Sequence, residues 1–221
     1  KITEQDLLFK LNILSSGTLI TDQTLRTNAD LILDYLRERG FYRSDVKFTQ
    51  QPLAAENEVG VVFSVTPKEQ AKIERFDISI AGLKVPVTPK ELVLKPDTYF
   101  SRERLTKDLE VIRKFLRDMD FVAPELDEPR VTYDNVKNTI SIELSGKVGP
   151  VVRVTLDTEK EKIGESTLTT LLPIKREGTL DYAAIVEGER RLETYYQEKG
   201  YFFANVTPTC SVDPPITDGQ T

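Results

Sequence analysis

Glu187, Glu189 and Glu193 stand close together on one stretch of chain, and a pair of carboxylates is what glycoside hydrolysis needs as acid and base. Arg190 and Arg191 are interleaved with them, and mixed charge on a helix reads as a solvated face with local ion pairs. Arg37, Glu38 and Arg39 take the same reading, as do Arg102, Glu103 and Arg104. The chain has no histidine, which removes Ser-His and Cys-His nucleophile pairs. Carboxylates and the thiol of Cys210 are then the remaining transition-metal ligands. A single cysteine excludes an internal disulfide, and Cys210 reads as a small packing residue. Neither GxGxxG nor GxxxxGK occurs, so nucleotide binding has no support in the text of the sequence. Neither a catalytic site, nor a metal, nor a cofactor is expected.

The elements that hold these side chains repeat. Leu31 to Val46 (LILDYLRERGFYRSDV), Val111 to Leu126 (VIRKFLRDMDFVAPEL) and Arg191 to Val206 (RLETYYQEKGYFFANV) follow one another at intervals of 80 residues. Gly40, Asp120 and Gly200 are in register, as are Phe41, Phe121 and Tyr201, and Val46, Leu126 and Val206. Self-similarity at a fixed period means one supersecondary module used several times. The expected division is 1–68, 69–148 and 149–221, each module small enough to bury only about 60% of its unfolded surface.

Composition agrees with a folded chain, at 39% hydrophobic and 30% charged. A net charge of -6 argues against a nucleic-acid partner, because phosphate binding relies on clustered Lys and Arg. No window is apolar over the length of a membrane helix, and KITEQDLLFK lacks the order of a signal peptide.

Leu25, Ala29, Ile32 and Leu36 mark one face of a long helix, and Leu105, Leu109, Ile112 and Leu116 mark its copy. In the third copy Ile185, Leu192 and Tyr196 keep the stripe and Glu189 interrupts it. Thr21 or Asp22, Ser101 and Asp181 are the expected N-caps, and Gly40, Asp120 and Gly200 the expected C-terminal stops. Shorter helices are expected ahead of these, over Glu4 to Leu14, from Thr88 and Pro89 to Leu94, and from Ser166 or Thr167 to Leu172.

Alternating residues predict opening strands at Phe76 to Ile80 and Val152 to Leu156. First return strands are expected at Val46 to Gln50, Arg130 to Tyr133 and Val206 to Cys210, and second return strands at Val59 to Val65 and Thr139 to Leu144. The fold class is α+β, three tandem units each reading strand, helix, helix, strand, strand. The first lacks its opening strand and the third its closing one.

This order of elements, with Gly40-Phe41-Tyr42 and Gly200-Tyr201-Phe202 following a leucine-rich helix, resembles the polypeptide-transport-associated (POTRA) domains. Such arrays stand before the barrel of BamA- and TamA-like outer-membrane assembly proteins. The resemblance implies a three-stranded mixed sheet backed by two helices, and a periplasmic arm that receives unfolded outer-membrane proteins or partner lipoproteins. It implies contact with the membrane through a C-terminal β-barrel lying outside these residues. The second unit departs from the pattern, with Asp120 in place of glycine and Pro124 and Pro129 in the strand that follows. A two-partner secretion transporter with one client, and a purely structural spacer, are the alternatives.

A sheet edge offers unpaired amides and carbonyls to any extended chain, and pairing through the main chain suits a receptor with many clients. The expected pairing edge is the first return strand: Val46, Lys47, Phe48 and Thr49, then Val131, Thr132 and Tyr133, then Val206 and Thr207. Pro52, Pro129 and Pro208 lie in or beside these strands, which equally fits an edge guarded against aggregation.

Overall fold

A computed structural model describes residues 2–11, 20–53, 59–87, 90–158, 162–179 and 181–209. Its elements in chain order are α1 (Glu4–Leu8), α2 (Asp22–Glu38), β1 (Asp45–Pro52), β2 (Val59–Thr66), β3 (Lys72–Ala81) and α3 (Arg102–Asp118). They continue with β4 (Glu125–Leu126), β5 (Arg130–Asp134), β6 (Thr139–Lys147), α4 (Glu165–Leu171), α5 (Pro173–Glu177) and α6 (Tyr182–Glu198). The fold class is α+β.

The repeated amphipathic stretches are α2, α3 and α6, each 17 residues long. Their ends follow from their side chains. Thr21 Oγ1 accepts the Thr24 amide at 3.1 Å, Ser101 Oγ the Arg104 amide at 3.2 Å, and Asp181 Oδ1 the Ala184 amide at 2.7 Å. At the other ends Gly40, Asp120 and Gly200 all take left-handed backbone, with φ of 89°, 64° and 94°. That turn sends the next amide back up the helix. Phe41 donates to Leu36 O at 2.9 Å, Phe121 to Leu116 O at 3.1 Å and Tyr201 to Tyr196 O at 3.0 Å.

The chain forms two compact units: Lys1–Ser79, Val85–Ile112 and Asp127–Ser145 make the first, and Ile80–Lys84, Arg113–Leu126 and Gly146–Thr221 the second. In the first, β1 and β2 form an antiparallel pair from Asp45↔Thr66 to Pro52↔Val59, and Leu25, Ile32 and Leu36 of α2 are buried. A second sheet has β6 bonded to both β3 and β5. Ile140 and Ile142 of β6 are buried with Ile73, Leu94, Phe100 and Leu105. Short β4 continues the line of β5: between Leu126↔Gly146 and Arg130↔Glu143, three residues (Asp127, Glu128, Pro129) oppose two (Leu144, Ser145). This is a one-residue bulge that includes Pro129.

A second repeat runs inside the helices at buried positions that the apolar stripe did not include. Asn28, Asp108 and Gly188 are all buried and stand 80 residues apart. Asp108 Oδ1 accepts the Val93 amide and Oδ2 the Leu94 amide, each at 2.8 Å. These bonds replace the helix expected through Leu94: residues 90–94 are turn and irregular backbone, and Thr88 and Pro89 lie outside the described residues. In the second unit the position matching Val93 is Pro173, which has no amide to offer, and the matching helix residue is Gly188. A side chain there would begin 3.1 Å from Leu172 Cδ2. The carboxylate is present where there are amides to satisfy and absent where proline removes one.

The other differences also have physical reasons. Helix α1 stops at Leu8, and Leu14 lies outside the described residues. The helix expected to Leu172 forms as α4, and a further short helix, α5, follows it with Pro173 at its first position. On α6 the buried line is Ala184, Gly188, Leu192 and Tyr196, while Ile185 and Glu189 are half-buried, because the small residues let Leu172 and Pro173 come close. The strands expected at 152–156 and 206–209 do not form, and Cys210 lies outside the described residues. Both segments line one open cleft of about 1570 Å³ and have no ladder of their own there.

Candidate strand-pairing edges

The carboxylate cluster that opened the question of catalysis is occupied with structure. Glu187 accepts bonds from Arg190 Nε and Nη2, both at 2.9 Å, and from Arg191 Nε at 2.6 Å. Those guanidiniums, Arg190 first, hold its carboxyl down at about 2 from an ordinary 4.5. Glu193 Oε1 accepts the Val206 amide at 3.2 Å. Among the described residues no group of His, Cys, Asp or Glu is arranged to hold a metal ion, and no helix is long and apolar enough to cross a membrane.

Val46, Lys47, Phe48 and Thr49 lie in β1, which pairs with β2 on one side and, among the described residues, with no strand on the other. Phe48 and Val46 are half-buried, and the Phe48 ring lies 6.1 Å from that of Phe63 across the pair. Lys47 and Thr49 are exposed. The inward side chains fix the strand, and its outer backbone is left to face outward. Pro52 ends β1, opposite Val59.

Val131, Thr132 and Tyr133 lie in β5, bonded to β6 on one side, with Val131 opposite Ile142 and Tyr133 opposite Ile140. Here the side chains have other duties. Tyr133 Oη donates to Asn138 Oδ1 at 2.9 Å, and Tyr42 covers its ring. The turn after β5 is fixed by Asp134 Oδ1, which accepts the amides of Val136 and Lys137 at 2.7 and 3.1 Å. Those bonds, that of Lys137 first, lower the Asp134 pKa. The bulge before β5 bends this edge and shortens the run open to pairing.

Val206 and Thr207 belong to no strand. The structure therefore gathers the first two candidate groups onto sheet edges and leaves the third on the wall of the cleft. Sequence reading missed Tyr42 and Gln70. Gln70 Nε2 donates to Arg39 O at 2.7 Å and to Phe100 O at 2.8 Å, and the Ala71 amide donates to Gly40 O at 2.8 Å. The signal available was Tyr42's place beside the repeated Gly40-Phe41 pair.

The chain resembles the solved POTRA domains 3–5 of BamA from Haemophilus influenzae, at 18% identity over 93% of this chain and 83% of that one, with a TM-score of 0.40. It resembles POTRA domains 1–3 of the periplasmic domain of Omp85 from Anabaena at 13% identity, over 68% of this chain and 60% of that one, with a TM-score of 0.33. The N-terminal domain of Omp85 from Thermosynechococcus elongatus matches at 15% identity, over 70% of this chain and 62% of that one, with a TM-score of 0.31. No curated protein matches the chain. The family model for POTRA, described as a surface antigen variable number repeat, matches residues 87–145 and again 151–220, together more than half of the chain. The chain belongs to the POTRA family.

Proposed function

We propose that this chain is a periplasmic binding and delivery scaffold of an outer-membrane β-barrel assembly protein, made of three modules at 1–68, 69–148 and 149–221. It receives unfolded outer-membrane proteins, or partner lipoproteins, by adding their extended segments to the open edges of β1 and β5 and to Val206 and Thr207. The observation that carries this reading is β1, a strand of eight residues paired on one side among the described residues, with Val46 and Phe48 half-buried on its inner face. Backbone pairing accepts clients of many sequences, and family membership fits such a role.

Titration of the labelled chain with several unrelated extended peptides tests it. Shifts of the Val46 to Thr49 amides with all of the peptides are expected. A response to one peptide alone favours a dedicated secretion client, and no response at any edge overturns the proposal. The joint built by Gln70 and Tyr42 supports a second reading, a spacer that holds its neighbours in fixed orientation.

A further inference from the structure

The compact units do not follow the modules of the repeat. The module boundaries after residues 68 and 148 each fall inside a unit, whereas every division between the units lies from Ser79 to Gly146, within the second module. What each unit contains is a joint, and the two joints begin alike. The Ala71 amide donates to Gly40 O at 2.8 Å, and at the matching helix end the Val152 amide donates to Asp120 O at 3.1 Å. A helix leaves its last carbonyls without partners of its own, and here the following module supplies them. The first joint adds Gln70 Nε2 on Arg39 O and Phe100 O. The second adds the Val122 amide on Pro150 O at 2.9 Å and the Ala123 amide on Gly178 O at 2.6 Å. Glycine lets backbone meet backbone at each. A Cβ on Gly40 would stand 2.5 Å from Phe100 O, and one on Gly149 would overlap Val122 O.

We infer that each joint is a latch around which the chain folds and opens as one, so that the cooperative units are centred on the joints and run out of step with the repeat. The first takes in α2, Ala71, Phe100 and the buried Ile140 and Ile142. The second takes in the last turns of α3 together with α4, α5 and α6. Opening the first joint strips Arg39 O and Gly40 O of their partners and uncovers the Tyr42 ring, so it costs bonds on both sides at once. Inside the second module the ladder is already interrupted: the bulge at Asp127, Glu128 and Pro129 begins where the units divide. Separate openings belong at such a break, and not at a junction closed by hydrogen bonds. The latches are a property of the fold and do not depend on peptide binding.

Native-state hydrogen exchange of the unaltered full chain in rising urea tests this, because amides released by one opening share one free energy and one urea dependence. Phe41, Ala71 and Phe100 are expected to exchange as one group, and Phe121, Val122 and Val152 as another. Ala71, Phe100 and Val122 all belong to the second module, so folding that follows the repeat would group these three and set Phe41 apart. That result overturns the latches, as does a single group for the whole chain or no grouping at all. Gln70→Ala supplies the second arm. It should speed exchange at Phe41 and Phe100 alike, by about tenfold, the loss of hydrogen bonds of ordinary strength, and leave Val122 and Val152 unchanged. An effect on Phe41 alone, or one that reaches Val122 as strongly as Phe100, overturns the inference.

Discussion

The ring of Tyr42, just past the end of α2, lies flat on the ring of Tyr133 in β5, with centroids 4.4 Å apart and planes 14° apart. Phe100 meets the Tyr42 ring at 6.4 Å in a tilted arrangement. Burial pushes the Tyr42 hydroxyl pKa up. Two copies of the repeat thus meet through an aromatic contact between residues 91 positions apart. Arg43 reinforces it by donating to the carbonyls of Asn135 and Val136.

Tyr42→Ala should remove this stack and leave a space against Phe100 and Tyr133. A cost of about 2–4 kcal/mol is expected from lost burial and the lost ring pair. Tyr42→Phe keeps the stack and should stay within about 0.5 kcal/mol of the parent. Urea unfolding of both variants checks the pair, and equal losses would show that the hydroxyl rather than the ring matters.

Asp108→Ala should be among the most damaging single changes, because it strands the buried amide of Leu94 and the part-buried amide of Val93. Two unsatisfied donors cost about 2–5 kcal/mol together. Asp108→Asn keeps one acceptor oxygen and should lie between the two. A midpoint for Asp108→Ala within experimental error of the parent would mean that water replaces the carboxylate.

How much of this was legible beforehand divides along a physical line. The long helices, their caps at Thr21, Ser101 and Asp181, and the left-handed stops at Gly40, Asp120 and Gly200 are set by neighbours a few residues away, so periodicity and residue type found them. Asn28, Asp108 and Gly188 were also in register, but polar and small residues look like gaps in an apolar stripe until the segment they face is known. Edge placement of Val46 to Thr49 and Val131 to Tyr133 followed from element order. The failure at 152–156 and 206–209 has the opposite cause. A strand needs a bonded neighbour as well as a pattern, and alternation at Val152, Val154 and Leu156 says nothing of whether one is there.

Lys47→Pro and Gln50→Pro should differ sharply although both positions are exposed. Their amides point to opposite sides of β1, because donors alternate along a strand and the two are three residues apart. One proline removes a ladder bond to β2 and should unfold the pair. The other removes a donor from the open edge, should leave stability nearly unchanged, and should abolish peptide addition there. Circular dichroism and peptide titration of the two variants separate these cases. If both bind peptide as the parent does, β1 is not the pairing edge.

Glu187 gives a pH signature. Its folded-state pKa is depressed to about 2 from 4.5, so the stability it lends is present above pH 4.5 and is lost as pH falls through the folded value. The window is therefore about pH 4.5 to 2. Glu187→Gln should lose the part of the acid-induced decline in that window that belongs to this group, with little change in the decline above it. Carboxyl NMR of the parent, following the Glu187 resonance, gives the direct check, and a midpoint near 4.5 would show that the Arg190 and Arg191 contacts do not persist in solution.

Gly40 and Gly200 occupy the same place in the repeat and should respond differently to alanine. Both have positive φ, so each substitution carries the left-handed penalty of about 1–2 kcal/mol. At Gly40 the added Cβ would stand 2.5 Å from Phe100 O, a backbone atom that cannot step aside, whereas at Gly200 it meets nothing within 4 Å. Gly40→Ala should therefore cost clearly more than Gly200→Ala, and it should disturb the Gln70 bonds to Arg39 O and Phe100 O that close the joint. Asp120, already left-handed at the matching position, shows that the turn itself accepts a side chain where space allows. Gly200→Asp is accordingly expected to be tolerated. Thermal unfolding of the three variants decides the matter: equal losses for Gly40→Ala and Gly200→Ala would mean that backbone conformation, and not the close approach of Phe100, is what holds glycine at position 40.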